Sequence, residues 1–467
     1  MLKNPDDVSL GKLMPEHSEA EINQLIAQLK QYIMAETAHK EVQNLSRGIS
    51  RRIGQAKKQG EPIETLLTEM QAKSEEAKAI NTKLQQLEES ILSQIAMPPT
   101  QKTDKPALSQ LTAQQRYTAK ALNTEIIISL LNNNSAIANW DEYVANHPAG
   151  TVYHLTKWRD VIYRSFKHQA YYYLAHDTEM KIKGILPLIR LKSRLFGDFM
   201  VSMPYFNYGG PIADHPAIED QLIHHANTQA LKLGLNHIEY RDDITRPDTP
   251  ERTDKVNMIL TLPPEKETLW QSFTPKLRSQ IKRPQRENTQ VAHGGLELLD
   301  EFYTVFARNM RDLGTPVYGK SFFRNILQGF PDQSSVMIVR LDGKPVAGAF
   351  LIGYKHTLEI PWASTIRSVN HLSVNMLMYW EVLSFAILKN YSYFDFGRSS
   401  IDSGTYKFKA QWGAQPKQLY WHYWLNTGEM PSLNPSNPKY ELMINIWKKL
   451  PIWLTRWIGP TIVKNLP

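Results

Sequence analysis

Residues Tyr391 to Gly413, YSYFDFGRSSIDSGTYKFKAQWG, decide how the chain is interpreted. The stretch begins with aromatic β-formers around Asp395, which predicts a buried strand that carries a carboxylate. A glycine ends this strand, and polar residues follow at turns, where sites commonly lie. The alternation of rings and cations at 406–409 predicts a strand or loop with Lys407 and Lys409 on one face. Either these groups form a site beside an aromatic core, or they form a solvated charged face.

This stretch, with PWAS at 361–364 and LSVNML at 372–377, resembles the FemAB family, most closely its branch associated with exosortase and PEP-CTERM surface systems. The resemblance spans roughly residues 125 to 425. It implies a mixed α+β fold with two tandem GNAT-like domains, at 125–265 and 266–430. It also implies transfer of an acyl or aminoacyl group to an amine, without identifying the substrate.

The resemblance places the functional lysine in a Phe-Lys dipeptide, which makes Lys409 the expected oxyanion stabiliser and Lys407 the alternative. Acyl transfer needs such a group, together with a neutral amine and positioning of both reactants. Asp395 either takes the amine proton or only orients Arg398. Arg398, beside the hydroxyl of Ser399, is expected to bind a phosphate of the donor or the acceptor.

Two further groups of candidate substrate-binding residues lie upstream. The loop FNYGGP is either a plain turn or a substrate contact through Asn207 and Tyr208, and the resemblance favours the contact. A basic helix start is either a solvated face or an anion clamp. FemAB proteins have a similar helix in the equivalent place, which favours a clamp formed by Arg278 and Lys282.

Four more candidates lie within the second predicted domain. Tyr318, in a loop that resembles one in the family, either lines the acceptor site or packs. Trp362 is a candidate site residue, and Tyr379 is either a site residue or a core residue. Asn375 stands at a helix start, where it contacts substrate or caps the helix.

Residues 1–98 form a separate predicted unit of two long helices joined by a tight tip. A 3-4 apolar repeat in the second helix, together with Val42, Leu45 and Ile49 in the first, predicts an antiparallel coiled-coil hairpin. Cations that suit a phosphate backbone gather near the tip. They are Arg47, Arg51, Arg52, Lys57 and Lys58. The alternative is a solvated coiled coil that forms a homodimer.

The tip sequence SRRIGQAKKQGE resembles the N-terminal tRNA-binding arm of seryl-tRNA synthetase. That likeness implies tRNA as a partner. It covers only the first hundred residues, and the class II signature of the synthetase catalytic domain does not follow. FemAB enzymes draw amino acids from charged tRNA, so the two resemblances converge.

Prolines and polar residues predict a linker at 99–124. The tail at 431–467 places tryptophans beside cations, so it either packs on the domain or contacts a membrane surface peripherally. No signal peptide and no run of ~20 apolar residues is found. We therefore expect a cytoplasmic protein, at most peripheral at the inner face of the inner membrane.

The composition and the motifs narrow the function. A net charge of +8 favours anionic partners, and the absence of cysteine excludes disulfides and thiolate catalysis. Signatures of α/β-hydrolases, Walker A NTPases, zinc proteases and EF-hands are missing, and neither a metal nor a cofactor is expected. The phosphate-cradling Gln/Arg-x-x-Gly-x-Gly/Ala loop of acetyl-CoA-dependent GNAT enzymes is also missing. Acetyl-CoA is therefore not the expected donor.

These observations predict an N-acyltransferase that uses aminoacyl-tRNA as co-substrate and acts on an amine of a peptidoglycan or exopolysaccharide precursor. One alternative is an N-acyltransferase of a surface polysaccharide system that uses acyl-CoA or an acyl carrier protein. The other is a non-catalytic tRNA-binding protein.

Overall fold

The computed structural model describes residues 19–59, 62–95, 116–119, 124–131, 134–193, 196–428, 430 and 438–466 of the 467-residue chain. The chain divides into a helical unit, residues 1–105, and a larger mixed unit, residues 106–467.

The first unit is an antiparallel pair of helices, α1 (Glu19–Gln59) and α2 (Glu64–Ile95). Two contacts fix the direction. Gln28 Nε2 donates to Ser90 Oγ at 3.0 Å, and near the other end Arg52 Nη1 lies 3.5 Å from Glu69 Oε2. The predicted antiparallel pairing is therefore present.

The buried row of α1 repeats every seven residues. Its members Ala35, Val42, Ile49 and Ala56 are between 4% and 9% exposed, whereas Leu45, which was predicted on the seam, is 54% exposed. The half-buried Ser46 takes the seam position instead. At this point the actual heptad position is therefore one residue later than the predicted one. The apolar pattern alone does not reveal this, because the seam residue is polar and its apolar neighbour is exposed.

The strands of the larger unit are β1 (Ile127–Leu130), β2 (Gln169–His176), β3 (Ile182–Ser193), β4 (Gly197–Val201), β5 (Ile212–Ala213), β6 (His237–Asp242), β7 (Glu251–Arg252), β8 (Val256–Thr261), β9 (Thr289–Gly294), β10 (Ser334–Leu341), β11 (Lys344–Tyr354), β12 (Thr357–Thr365), β13 (Tyr393–Ser399), β14 (Gln415–Gln418) and β15 (Tyr420–Leu425). Within the described ranges they form two sheets. The first has the order β1-β2-β3-β4-β6-β15-β7, with β5 beside β3, and the second has the order β14-β8-β13-β12-β11-β10-β9.

The helices of this unit are α3 (Asn134–Asn146), α4 (Lys157–Phe166), α5 (Pro216–Lys232), α6 (Lys266–Ser272), α7 (Pro275–Lys282), α8 (Leu299–Leu313), α9 (Lys320–Gly329), α10 (Val374–Leu388), α11 (Gly404–Ala410), α12 (Pro438–Trp447) and α13 (Ile452–Val463).

The two sheets repeat one plan. In the first, antiparallel β2, β3 and β4 are followed by α5 and then by β6, which runs parallel to β4. In the second, antiparallel β10, β11 and β12 are followed by α10 and then by β13, which runs parallel to β12. A helical crossover is what a parallel connection requires. The predicted tandem GNAT-like layout is therefore confirmed.

The two halves also exchange strands. β8 belongs to the first half in sequence but lies between β13 and β14 of the second sheet. β15 belongs to the second half in sequence but lies between β6 and β7 of the first sheet. The boundaries predicted at 265 and 430 divide the sequence, whereas the sheets interlock across those boundaries.

A shared aromatic core joins the halves. Trp158 of the first half packs on Phe330 of the second with ring centroids 4.6 Å apart, and Phe206 packs on Trp362 at 5.9 Å. These rings belong to one buried cluster that draws on both halves. Burial of this kind is the main favourable term in folding, so the halves support each other as one body.

The prediction of a strand or loop at 406–409 is wrong, because this segment belongs to helix α11. Ser403 begins the helix by accepting a hydrogen bond from the Tyr406 amide at 3.2 Å. Residues two apart on a helix point in nearly opposite directions. Lys409 is therefore buried while Lys407 is exposed, and they do not share a face.

Most of the predicted linker, 99–124, lies outside the described residues. In its described part, Arg116 is buried and donates to Glu219 at 3.2 Å and to Asp243 at 3.0 Å, so that part belongs to the body. The tail packs on the same unit through α12 and α13, where Arg311 donates to the Leu450 carbonyl at 3.0 Å. None of the helices in the described part is long and apolar enough to cross a bilayer.

Candidate active site

A cavity of about 450 Å³ lies among strand ends and loops of both halves of the larger unit. The first half contributes segments 148–154 and 208–212 and the strand end at 241–243. The second half contributes segment 352–359 and Tyr393, Asp395 and residues 415–417. A concave site with a few convergent polar groups is the usual form of a small-molecule site.

The parallel strands β12 and β13 separate at this cavity. Their ladder pairs Thr357 with Tyr393 and ends at the pair Glu359 and Asp395. Beyond this pair, Gly397 takes a φ of 75°, a left-handed conformation that favours glycine. Two carboxyl side chains therefore stand side by side where the strands part, and they are only 6% and 2% exposed.

Asp395 is held by two donors. The Gly397 amide donates to Oδ1 at 2.7 Å, and Asn257 Nδ2 donates to Oδ2 at 2.8 Å. Burial raises the pKa of Asp395 to about 6, although these bonds and the nearby charges of Lys409 and Lys417 oppose the rise. At neutral pH this carboxyl is therefore ionised, and its pKa suits a general base.

Glu359 has a different environment. Tyr153 donates its hydroxyl to Glu359 Oε2 at 2.5 Å. Burial, reinforced by the charge of Asp395, raises the pKa of Glu359 well above its usual range. Two adjacent buried carboxyls do not both ionise readily, so Glu359 keeps its proton when Asp395 has lost one. The pair can accept a proton at one residue and donate a proton from the other.

Ion pairs frame the cavity beside the carboxyls. Lys417 Nζ lies 2.7 Å from Asp243 Oδ2, and Arg116 contacts the other oxygen of the same carboxylate. Although burial raises it, these two cations lower the pKa of Asp243 to about 2. The Lys417 ammonium also lies 5.8 Å from the ring centre of Tyr208.

Lys409 stands behind the carboxyl pair. Its Nζ donates to the carbonyls of Gly397 at 2.9 Å and Arg398 at 2.8 Å. Burial lowers the pKa of Lys409 to about 8, although Asp395 and Glu359 oppose this. It holds the segment that follows Asp395 and is not among the described residues that line the cavity. Lys407 is exposed on the far side of α11.

Of the predicted substrate-binding residues, Tyr208 lines the cavity, and its hydroxyl accepts from Asn257 at 2.7 Å. Asn207 is buried beside it, and its carbonyl accepts from the Trp421 indole at 3.3 Å. Arg398 lies apart from the cavity lining. Its guanidinium is 5.3 Å from the centre of the Trp421 ring, and Arg241 covers the same ring at 4.3 Å.

Tyr318 and Trp362 belong to the shared aromatic core, with ring centroids 6.0 Å apart. Tyr379 is buried and stacks on Phe396 at 5.6 Å, which is the packing alternative of the sequence analysis. Asn375 is half-buried in the first turn of α10. The described lining of the cavity includes none of these four.

The basic residues of α7 also lie outside the cavity lining. Lys282 is exposed, with its ammonium 5.3 Å from the centre of the Trp270 ring, and Arg278 is half-buried. Ser399 is buried, and its hydroxyl has no hydrogen-bond partner in the described part of the chain. In the arm, Arg52 is exposed. The side chains of the other predicted tRNA-binding residues, Arg47, Arg51, Lys57 and Lys58, lie outside the described residues.

The sequence analysis missed four residues around Asp395: Glu359 beside it, its donor Asn257, the Glu359 donor Tyr153 and the cation Lys417. Glu359 and Asn257 share the signal that revealed Asp395, because each is a lone polar residue inside an apolar strand, TLEIPWA and VNMIL. A buried polar side chain needs a partner, so such residues deserve to be tested as a set. Tyr153 and Lys417 carry no such signal, since only the fold brings them to the cavity.

Comparison with known proteins supports this description. Residues 275–410 match the acetyltransferase (GNAT) domain family, and residues 1–98 match the seryl-tRNA synthetase N-terminal domain family. No curated protein matches the chain. Because the domain match is to an acetyltransferase, the predicted acyltransferase class is confirmed at the level of the domain family.

Among solved structures, FemX is 14% identical with a TM-score of 0.51, over 68% of this chain and 100% of that chain. A tandem GNAT protein from the clavulanic acid biosynthesis pathway is 12% identical with a TM-score of 0.43, over 64% of this chain and 98% of that chain. L-PGS from Bacillus licheniformis is 14% identical with a TM-score of 0.39, over 61% of this chain and 88% of that chain. The FemX likeness shows the fold of the larger unit, and the two domain matches identify a GNAT domain at 275–410 and an N-terminal domain of the seryl-tRNA synthetase type at 1–98.

Proposed function

We propose that this protein is an N-acyltransferase that moves an aminoacyl group from aminoacyl-tRNA to an amine of a cell-envelope precursor. The observation that carries the proposal is the buried pair of Asp395 and Glu359 in the wall of the cavity. One ionised and one protonated carboxyl can take a proton from one reactant and give a proton to another. Transfer of an acyl group from an ester to an amine needs both steps.

In the proposed reaction a neutral acceptor amine attacks the carbonyl carbon of the aminoacyl ester. Asp395 takes the N–H proton as the C–N bond forms, since its pKa of about 6 leaves it ionised at neutral pH. The ester C–O bond then breaks, and the departing ribose oxygen takes a proton from Glu359. Glu359 regains a proton from Asp395, so one ester and one amine give one amide and one alcohol.

Tyr208 is the proposed donor to the oxyanion that forms on the carbonyl. Its hydroxyl oxygen already accepts from Asn257, and burial raises its pKa well above the usual range, so its own proton is retained for donation. A positioned donor of this kind contributes about 3–4 kcal/mol to lowering the barrier. The sequence predicted Lys409 as the oxyanion stabiliser. Because its ammonium is bound to two backbone carbonyls, we assign it a positioning role instead.

Arg398 is the proposed phosphate-binding residue, as predicted. Arg398 is an exposed residue, and no ion pair joins it to an acidic side chain of the described ranges. A guanidinium stacked on a ring keeps its N–H groups available for a phosphate. The buried hydroxyl of Ser399 follows directly and can bind the same group. Arg278 and Lys282 on α7 remain a prediction for a second anion-binding site.

The donor assignment depends on the arm. The match to the seryl-tRNA synthetase N-terminal domain and the cations near its tip support tRNA as the carrier of the acyl group. A second candidate function, favoured by the acetyltransferase match at 275–410, is transfer from acyl-CoA or an acyl carrier protein. The missing phosphate-cradling loop of acetyl-CoA-dependent enzymes is the reason to place it second.

A label-transfer assay separates the two. Full-length protein is incubated with an envelope-precursor extract and either bulk tRNA charged with radiolabelled amino acids or radiolabelled acetyl-CoA. Mild alkali then destroys esters and thioesters and leaves amides. The proposal predicts alkali-resistant label from charged tRNA only. Label from acetyl-CoA alone supports the second candidate, and label from neither donor contradicts both.

The arm is tested by binding. Replacing Arg51, Arg52, Lys57 and Lys58 with alanine should weaken binding of bulk tRNA and lower the slope of log affinity against log salt by about 3, because the slope scales with the number of phosphates that the protein neutralises. Lys78→Ala with Lys83→Ala, exposed on α2 away from the tip, is the control. An equally weakened affinity in both variants contradicts a specific role for the tip.

A further inference from the structure

The C-terminal helices present an apolar surface that no other described part of the larger unit covers. Trp453 is 68% exposed and Trp457 is 76% exposed, both on α13. Met443 and Ile446 of α12 are exposed as well. We call these four residues the tryptophan face. Bare indole rings on a surface are typical of a binding surface rather than of a fold requirement.

The rings of the tryptophan face are not needed to attach α13. The opposite side of that helix makes the attachment, through buried Thr455, Gly459 and Val463. A Cβ on Gly459 would lie 2.8 Å from the Val317 amide nitrogen, so the backbone of α13 contacts the body directly. Trp453 and Trp457 are four residues apart, which places both on the free side.

The surroundings of the tryptophan face are basic. Segment 438–467 holds five basic residues and one acidic residue, and Lys448 and Lys449 are exposed between α12 and α13. Two carboxylates lie close by, but each has a cation of its own. Asp300 is 2.5 Å from Lys320, and Asp312 is 2.6 Å from Arg311. The net field at this surface therefore attracts negative charge.

We propose that the tryptophan face binds the surface of a bilayer that contains anionic lipid. Tryptophan rings prefer the interfacial region, and exposed lysines bind anionic headgroups. Helix α13 has 12 residues, which gives a length of about 18 Å, well below the ~30 Å hydrocarbon core of a bilayer. It therefore lies on the membrane and does not span it. This inference is independent of the proposed acyl transfer, because it uses no residue of the cavity.

Vesicle sedimentation tests it. Full-length protein is mixed with vesicles of phosphatidylcholine alone or with about one third phosphatidylglycerol. We expect binding to the mixed vesicles and little to phosphatidylcholine. Trp453→Ser with Trp457→Ser should lower the partition coefficient at least about tenfold. Lys448→Ala with Lys449→Ala should lower it about fivefold for each lysine replaced, and only for anionic vesicles.

The control is Tyr163→Ser with Met180→Ser, two exposed apolar residues elsewhere on the body, which should bind as the wild type does. Thermal melting checks that each variant is folded. A wild type that stays in the supernatant with anionic vesicles overturns the proposal. So does a folded tryptophan variant that sediments as well as the wild type. Loss of self-association in place of vesicle binding would assign the face to a second copy of the chain and also overturn it.

Discussion

Strand β13 contributes residues to two polar regions only a few residues apart, at Asp395 and at Arg398. The two regions are opposite in charge and differ in exposure to solvent. Asp395 faces the cavity as one of two buried carboxyls, and Glu359 is the other. Arg398 is exposed and lies over the Trp421 ring, which it shares with the buried Arg241. The left-handed turn at Gly397 separates the two regions.

The difference indicates a division of labour. Buried carboxyls have raised pKa values and can exchange protons near neutral pH, whereas a guanidinium stays charged and can only bind and orient. Lys409 connects the two, because its ammonium holds the carbonyls of Gly397 and Arg398 and lies near the carboxyl pair. Substitutions in each region can show whether chemistry belongs to the first region and binding to the second.

The largest effect is expected from the carboxyl region. Asp395→Asn keeps the size of the side chain but removes the base, so the rate of amide formation should fall about 10²–10⁴-fold. The buried Asn257 Oδ1, which has no partner among the described residues, can turn to accept from the new amide. The measurement is single-turnover label transfer. Asp402→Asn, an exposed carboxylate on the next turn, is the control and should retain the wild-type rate.

Lys409, which connects the two regions, should affect stability. Lys409→Met leaves two buried carbonyls without their charged donor, so the free energy of unfolding should fall by about 2–3 kcal/mol. Urea denaturation measures this value. Lys407→Met, on the exposed side of the same helix, should change it by less than about 0.5 kcal/mol. Equal decreases in the two variants would show that Lys409 does not hold the segment after β13.

The arginine region should affect binding alone. Arg398→Ala should raise the KM of the phosphate-bearing substrate by about tenfold or more and leave kcat nearly unchanged, because a charge-assisted bond to phosphate stabilises the ground state and the transition state equally. Steady-state kinetics with Lys407→Ala as the matched cationic control measures it. A fall in kcat with constant KM would show that Arg398 acts in the chemical step. The proposed difference between the two regions would then be wrong.

The smallest effect is a change of stability with pH. Because the pKa of Glu359 is raised in the folded state, the native protein binds more protons than the unfolded chain above about pH 4.5, and stability falls as the pH rises. Glu359→Gln removes this dependence. Its melting temperature should exceed that of the wild type by at least about 2–4 °C at pH 8. This difference in melting temperature should disappear near pH 5. A difference that does not change with pH contradicts a raised pKa for Glu359.

The fold was largely predictable. The Asp-Gly turn between apolar runs at 336–341 and 344–352 predicts the hairpin of β10 and β11, and a similar unit at 170–189 predicts the duplication. The exchange of β8 and β15 was not predictable. Each is a short apolar run that could belong to either sheet, and only the packing of the two halves decides its place.

The site was predictable in part. Asp395 and Tyr208 reach the cavity as expected, since a carboxylate inside an aromatic strand and a tyrosine before a Gly-Gly pair mark close approach of the backbone. Glu359 was missed because its partner in the ladder lies 36 residues away along the chain, a spacing set by α10. Lys409 was expected at the reaction centre, but the helical register of α11 turns it toward backbone carbonyls.

The central claim is that Asp395 is the base, and the pH dependence of amide formation tests it most directly. The wild-type rate should rise through an acid limb near pH 6, the pKa to which burial raises this carboxyl. In Lys409→Met the limb should move to higher pH, because the nearby ammonium that favours the ionised form is gone. A limb at the same pH in both proteins would belong to the substrate amine and would contradict the assignment of Asp395.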